Sequence, residues 1–131
     1  HPAIDQMDLT SIIHEVDPSI PIFRRGELTK LMVNCELYVN VGISTSILDA
    51  LITNKPVIYV ETRRHDLGKF DVSDYVLNTN TENFGDSLKK VISDVTLYDS
   101  LVKKGNTYVE KYFSNRGKAA FNLFNYIKNI E

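Results

Sequence analysis

The sequence predicts an α/β fold in which a parallel sheet is flanked by helices. Short segments rich in β-branched and aromatic residues alternate with segments whose apolar residues recur at helical spacing. The connections between them are short, which favours crossovers between parallel strands. Residues 57–60 are the apolar run Val-Ile-Tyr-Val, which is typical of a strand buried on both faces of such a sheet.

Two strand–helix units are predicted before that buried strand. A short apolar strand over residues 20–23 precedes a helix over residues 27–34, and a strand over residues 37–41 precedes a helix over residues 44–53. Each helix carries apolar residues three and four positions apart, so that they share one face. Residues 54–55, followed by a proline, are predicted to close the second helix.

The remainder of the chain is predicted to be mostly helical. After the buried strand, residues 61–71 are polar, residues 75–77 form a further strand, and residues 78–81 form a turn and helix start. Amphipathic spacing then predicts helices over residues 84–92, 97–112 and 120–130. The aromatic residues of the last two helices are expected to pack inside the protein, because they recur at helical spacing.

Length and composition indicate one ordinary globular domain, residues 1–131. Apolar residues make up 43% and charged residues 24% of the chain, and the formal net charge is −2. This charge gives no overall positive field for binding nucleic acid or an anionic membrane. No apolar run approaches the roughly 18 residues of a membrane-spanning helix.

The cysteine and histidine content limits the chemistry. Cys35 is the only cysteine, which excludes an internal disulfide and a cysteine-rich metal site and favours a reducing compartment. We therefore expect a cytoplasmic protein, at or near the inner face of the membrane. The three histidines are too scattered for a metal triad, so no metal and no resident cofactor are expected.

The turn after residues 37–41 carries the strongest candidate site. Gly42 allows the backbone to turn sharply, and Ser44, Thr45 and Ser46 open the next helix. The amides of a helix start, with three added hydroxyls, suit a phosphate or diphosphate. The same hydroxyls are also typical N-caps, and the residues alone leave both interpretations open.

Asp49 is the second part of this candidate site. Since it follows Thr45 by four residues, both side chains lie on one helix face. A carboxylate one turn from a phosphate can accept hydrogen bonds from ribose hydroxyls, as in dinucleotide sites. The alternative interpretation is that Asp49 is an acidic residue near the helix start that complements the helix dipole.

Residues 36–60 resemble the donor-binding half of GT-B glycosyltransferases and their relatives, which have a Rossmann-like fold. These proteins share a strand, a Gly/Ser/Thr turn, an acidic residue before Ala-Leu, a polar turn with proline, and an apolar strand. Nucleotide-sugar 2-epimerases and capsule or teichoic-acid polymerases carry versions of the same pattern. The His1-Pro2 pair resembles one in sialyltransferase-like and glycerophosphotransferase-like members, and residues 112–118 are similar to capsule and teichoic-acid transferases.

The resemblance implies a role for each candidate residue. Gly42 with Ser44, Thr45 and Ser46 would hold the donor phosphates, and Asp49 would hold the ribose. His1 would contact the phosphate or assist the leaving group. Arg24 or its neighbours would lie in the loop that meets the nucleobase through backbone groups. Apart from the resemblance, Arg63 and Arg64 follow the strand over residues 57–60, where a guanidinium can bind the donor phosphates. A polar surface loop is the alternative for each of these arginines.

The function expected from this resemblance is binding of a nucleotide-sugar donor in a glycosyltransferase or related polymer transferase. A nucleotide-sugar 2-epimerase domain and a non-catalytic α/β interaction module remain alternatives. A GT-B donor domain has further strands before the His-Pro position, so we expect the chain to be a fragment that lacks its first strands. It would then be inactive alone and would need an acceptor-binding domain, a partner chain or a homodimer.

Overall fold

Three strands and six α-helices are described in a computed structural model that covers residues 8–23, 26–42, 44–62, 72–113, 115 and 117–130. The strands are β1 (Tyr38–Val41), β2 (Val57–Glu61) and β3 (Leu77–Asn80). The helices are α1 (Thr10–Val16), α2 (Leu28–Asn34), α3 (Ser46–Ile52), α4 (Phe84–Ser93), α5 (Val95–Tyr112) and α6 (Ala119–Lys128). A 3-10 helix over Ser73–Tyr75 precedes β3.

The three strands form one parallel sheet in the order β1-β2-β3. Tyr38 lies opposite Val57, and Ile58 lies opposite Leu77. Helices follow β1 and β3 directly, and helices pack against both faces of the sheet. The predicted α/β fold with a parallel, helix-flanked sheet is therefore confirmed, and the arrangement is consistent with a Rossmann-like fold.

The central strand β2 is the centre of the core, as predicted. Its successive side chains point to opposite faces, so β2 contributes to two apolar layers. Val57 and Tyr59 pack with α2, α3 and the second half of α5, whereas Ile58 and Val60 pack with α4 and the first half of α5. The layout places the start of α3 beside the carboxyl end of the sheet.

The prediction of a strand over residues 20–23 is wrong. This segment is irregular, and Ile20 and Phe23 are exposed. A strand needs a neighbour for its backbone groups, and the described residues provide none here. Instead, the Ile20 amide donates to the Asp17 carbonyl (3.3 Å) and its carbonyl is 3.1 Å from His14 Nε2. These contacts tie the segment to α1, a helix that the sequence did not reveal.

The last strand is displaced from its predicted position. Residues 73–75 form the 3-10 helix, and β3 begins at Leu77, the last residue of the predicted strand, and continues through residues 78–80, which were predicted as a turn and helix start. Asn78 and Asn80 are exposed on this edge strand, whereas Leu77 and Thr79 are half-buried. Pairing with β2 outweighs the low β-propensity of asparagine, because the ladder provides partners for the backbone groups.

The end of α3 was predicted correctly and has a defined geometry. Asn54 has a φ of 60°, in the left-handed region that asparagine tolerates. Its amide donates to the Leu51 carbonyl (3.1 Å), and the Lys55 amide donates to the Ala50 carbonyl (3.1 Å). These two bonds make a Schellman motif, which satisfies the last carbonyls of α3 and directs the chain into β2.

Helix α6 lies outside both apolar layers. It has the predicted amphipathic spacing, but none of its described residues is buried, so the expectation that its aromatic residues pack inside is wrong. The same expectation holds for Tyr108 of α5, which is buried against Tyr75. Within the described ranges, no helix is long and apolar enough to span a membrane.

Candidate functional site

The turn after β1 lies at the carboxyl edge of the sheet. Gly42 has a φ of 74°, where a residue with a Cβ pays about 1–2 kcal/mol. Its amide donates to the Val60 carbonyl (3.1 Å), so the turn begins while β1 is still paired with β2. A Cβ on Gly42 would lie 3.9 Å from Thr62 Oγ1, which places the carboxyl ends of the two strands side by side.

Beneath this turn, four side chains form a hydrogen-bonded network. Ser46 Oγ lies 2.7 Å from Ser44 Oγ, accepts a hydrogen bond from Tyr38 Oη (2.9 Å) and donates to Asn40 Oδ1 (3.3 Å). Asn40 Nδ2 donates to the Gly42 carbonyl. Asn40 is only 4% exposed. The network therefore joins β1, the turn and the first residue of α3.

The network uses the full hydrogen-bonding capacity of the Ser46 hydroxyl. With two bonds at its oxygen and its proton donated to Asn40, this hydroxyl is fully satisfied within the protein. Ser44 Oγ also accepts a hydrogen bond from the Ser46 amide (3.3 Å), which is a capping type of contact. Both serines thus hold the turn in place against β1.

Thr45 and Asp49 have a different environment from the two serines. Both are exposed, and they lie one turn apart on α3. Thr45 occupies the N-cap position but makes no side-chain capping bond. The first turn is closed by the Leu48 amide, which donates to the Thr45 carbonyl (2.9 Å). The structure thus brings together an exposed hydroxyl and an exposed carboxylate beside the Gly42 turn.

The other predicted site residues are not among those that the structure describes. His1, Arg24, Arg63 and Arg64 lie outside the described residues, so their predicted roles stay predictions. In the part of the chain that the structure describes, no group of three or more His, Cys, Asp or Glu side chains could hold a metal ion. An open depression of about 530 Å³ lies near α1, lined by residues that include Thr10, His14 and Ile22.

Sequence reasoning missed two residues of the network, Tyr38 and Asn40. Both lie within β1, where the pattern predicted only a strand. An asparagine inside an otherwise apolar strand, two residues before a glycine, is the available signal, since asparagine is depleted in strands. Identifying that partner requires the position of α3 over the sheet.

Tyr59 lies opposite Asn40 in the sheet and on the same face. Its side chain is buried, and its hydroxyl has no hydrogen-bond partner among the described residues. Burial raises the pKa of the Tyr59 hydroxyl above its ordinary value, and the negative charge of Glu61 adds to the effect. A buried hydroxyl without a partner lowers stability.

Tyr59→Phe is expected to raise the free energy of unfolding at neutral pH by about 1 kcal/mol, because it removes this unpaired polar group. Because the pKa is raised, the folded chain keeps the phenol proton at alkaline pH values at which the unfolded chain loses it. The free energy of unfolding of the native chain therefore falls as pH rises above about 10.0. Tyr59→Phe should lose less stability than the native chain over this pH range. Urea unfolding at neutral and alkaline pH measures both effects.

Tyr98→Phe is the matched control for this prediction. The Tyr98 hydroxyl donates to the Glu36 carbonyl (2.7 Å), so its removal should lower stability at neutral pH by about 1 kcal/mol. A loss of stability in Tyr59→Phe as large as that in Tyr98→Phe would contradict the unpaired state of the Tyr59 hydroxyl.

Comparison of the chain with protein-family models, curated proteins and solved structures finds no match.

Proposed function

We propose that the chain binds the nucleotide part of an activated sugar donor, as the donor-binding domain of a GT-B-type glycosyltransferase or a related polymer transferase. The observation that supports this function is the exposed Thr45–Asp49 pair beside the Gly42 turn, at the carboxyl edge of a parallel sheet. Ligands of parallel α/β sheets bind at this edge. The sequence resemblance of residues 36–60 to GT-B donor sites supports the same proposal.

The two exposed groups would bind different parts of the donor. The Thr45 hydroxyl, together with the turn amides that do not donate within the protein as those of Gly42 and Ser46 do, would donate hydrogen bonds to the donor phosphates. Asp49 lies about 5–6 Å further along the helix face, as four-residue spacing dictates. At that distance its carboxylate would accept hydrogen bonds from ribose hydroxyls without touching a phosphate.

The half-buried network would act as the support of this site. A phosphate-binding turn is effective when its donors are already oriented before the ligand arrives. The bonds from Ser46 and Asn40 hold the turn against β1, so the Gly42 and Thr45 backbone needs little reorganisation. In this role Ser44 and Ser46 contribute to binding by positioning the turn.

Catalysis in such a domain would be electrostatic. Negative charge grows on the nucleotide phosphate as the bond to the sugar breaks, and oriented amides and hydroxyls stabilise that charge. By resemblance, His1 would contact the phosphate or assist the leaving group. Arg63 and Arg64, which follow β2 in the sequence, would add guanidinium contacts to the donor phosphates. The role expected for Arg24 loses its basis, because the strand that it was predicted to follow is absent from the described residues. The acceptor and its general base would come from another domain or a partner chain.

Calorimetric titration with UDP, CDP and CMP tests the proposal. We expect heat with at least one nucleotide, and binding weaker by about tenfold or more in the Thr45→Val, Asp49→Asn double variant, since two hydrogen-bonding groups are lost. The matched control is Thr96→Val with Asp99→Asn, which makes the same two changes at exposed positions on α5. The control should bind as the native chain does.

Two outcomes would contradict the proposal. One is equal binding by the double variant and the native chain, which would place the nucleotide elsewhere. The other is the absence of heat with all three nucleotides. In that case the chain is better described as an α/β interaction module whose turn only caps α3, an alternative favoured by the internal bonding of Ser44 and Ser46.

A further inference from the structure

Strand β1 leaves one edge of the described sheet open. It stands at the end of the order β1-β2-β3, so only its β2 side is paired. The Tyr38 amide donates to the Pro56 carbonyl (3.0 Å) on that side. Because the backbone groups of a paired strand alternate in direction, those of Leu37, Val39 and Val41 point away from β2. They have no hydrogen-bond partner among the described residues.

The open edge has none of the features that protect edge strands. Charged side chains, a proline or a bulge commonly prevent an edge from pairing with another chain. Residues 37–41 are Leu-Tyr-Val-Asn-Val, and their register with β2 is continuous. The other edge of the sheet, β3, differs because it exposes Asn78 and Asn80. Strand β1 therefore has the composition of an interior strand at the edge of the sheet.

An apolar row of side chains runs along this edge. Leu37, Val39 and Val41 share one face of β1, because successive side chains alternate. Leu37 and Val39 pack against the layer that α4 and the first half of α5 form with the sheet, whereas Val41 is 65% exposed. A further strand beside β1 would cover Val41 and bind the unpaired backbone groups at the same time.

A second copy of β1 fits this edge in an antiparallel register. With a two-fold axis at Val39, this residue faces its own counterpart, and Leu37 faces Val41 of the other copy. All three residues whose backbone points outward then form hydrogen-bonded pairs, and each pair exchanges two backbone bonds. Leu37 and Val41 also make an apolar cross-strand contact. The nearest charged residue, Glu36, falls opposite Gly42, so no like charges meet.

Preorganisation favours a second copy of β1 over a flexible peptide. Helical layers on both sides of the sheet hold β1 in its extended conformation, since Tyr38 packs in one layer and Val39 in the other. Pairing of two such strands orders little additional chain, whereas a flexible peptide loses backbone entropy at each residue that it fixes. The uncharged, self-complementary sequence of β1 supports the same choice.

We propose that two copies of the chain associate through β1, in antiparallel register about Val39, and join their two three-stranded sheets into one. The carboxyl edges of the two sheets, each with its Gly42 turn, then point in opposite directions. A single pair of short strands forms a small interface, so we expect a reversible dimer whose fraction rises with protein concentration. The proposal does not rest on the proposed function, since association through β1 requires no nucleotide.

Sedimentation velocity of the full chain over a concentration series measures the association. Val41→Lys should weaken it by about tenfold or more, because each dimer loses two apolar contacts and gains two unpaired charges. Ile92→Lys is the matched control at a residue of α4 that is 64% exposed, and it should leave association unchanged. Neither side chain is buried, so in dilute solution both variants should unfold at the native temperature.

Amide hydrogen exchange locates the interface. The Val39 and Val41 amides gain partners only in the dimer, so their exchange should slow as the protein concentration rises. The Tyr38 amide is already bonded to Pro56, so its exchange should change little with concentration. Val41→Lys should remove the concentration dependence at Val39, and Ile92→Lys should preserve it.

Three results would overturn the proposal. The first is a native chain that stays monomeric up to the concentrations used for NMR. The second is a dimer in which the Val39 and Val41 amides exchange as fast as in dilute solution, which would place the interface on another surface, such as the exposed apolar side of α6. The third is an equal loss of association in Val41→Lys and Ile92→Lys.

Discussion

Gly105→Val is expected to lower the free energy of unfolding by about 2 kcal/mol, the middle of the range for overpacked cores. Gly105 is buried where α5 crosses α3, and an ideal Cβ there would lie 2.9 Å from Leu51 Cδ2. Leu51 is itself fully buried, so it has no space into which it can move. Added methyl groups must therefore push α3 and α5 apart.

Gly85→Ala is the control, since a Cβ at this exposed position on α4 would meet nothing within 4 Å. It should raise stability by about 0.5 kcal/mol, because alanine restricts the unfolded chain more than glycine. Chemical denaturation measures the free energy of unfolding of both variants. If Gly105→Val is as stable as the native chain, the close approach of α3 and α5 is contradicted. Because Thr45 caps α3 and Asp49 lies in it, we also expect Gly105→Val to weaken nucleotide binding although Gly105 is not part of the site.

Asn40→Leu should lower the free energy of unfolding by about 2 kcal/mol and loosen the Gly42 turn. The substitution keeps the number and branching of the side-chain heavy atoms but removes the acceptor of the Ser46 hydroxyl and the donor to the Gly42 carbonyl. Groups left without partners in a half-buried network cost about 1–3 kcal/mol. Asn78→Leu is the control: its amide also donates one hydrogen bond, to the Ser73 carbonyl (2.8 Å), but it is exposed, so water can replace the lost bond.

A double-mutant cycle between Asn40→Ala and Ser46→Ala isolates the network itself. If the two side chains act together, their coupling free energy should be about 0.5–1.5 kcal/mol. Additive effects of the two changes would show that the network does not couple β1 to the start of α3. Such a result would remove the structural support that the proposed binding turn requires.

The elements that the sequence predicted correctly are those set by local chemistry. The run at residues 57–60 is apolar at every position, which is typical of a strand covered on both faces. Gly42 and Asn54 are residue types that tolerate positive φ, and both adopt it. The pairing of Thr45 with Asp49 on one exposed face of α3 follows from the helical period alone.

The elements that the sequence misplaced depend on partners far away in the chain. Residues 20–23 have the composition of a strand but no neighbouring strand in the described part of the fold, and β3 starts where β2 offers it a register. The periodicity of α6 was visible, but periodicity does not say whether an apolar face meets the core or solvent. In the same way, the role of Asn40 depends on the placement of α3 over β1.

The most direct test of the nucleotide site is a titration followed by amide chemical shifts of the ¹⁵N-labelled chain. With UDP, CDP or CMP, we expect the largest shifts at Gly42, Thr45 and Asp49, with smaller shifts at Thr62 across the carboxyl edge of the sheet. The amides of α6 should stay unchanged. Unchanged spectra with all three nucleotides, or shifts centred on the depression near His14, would contradict the assignment of the site.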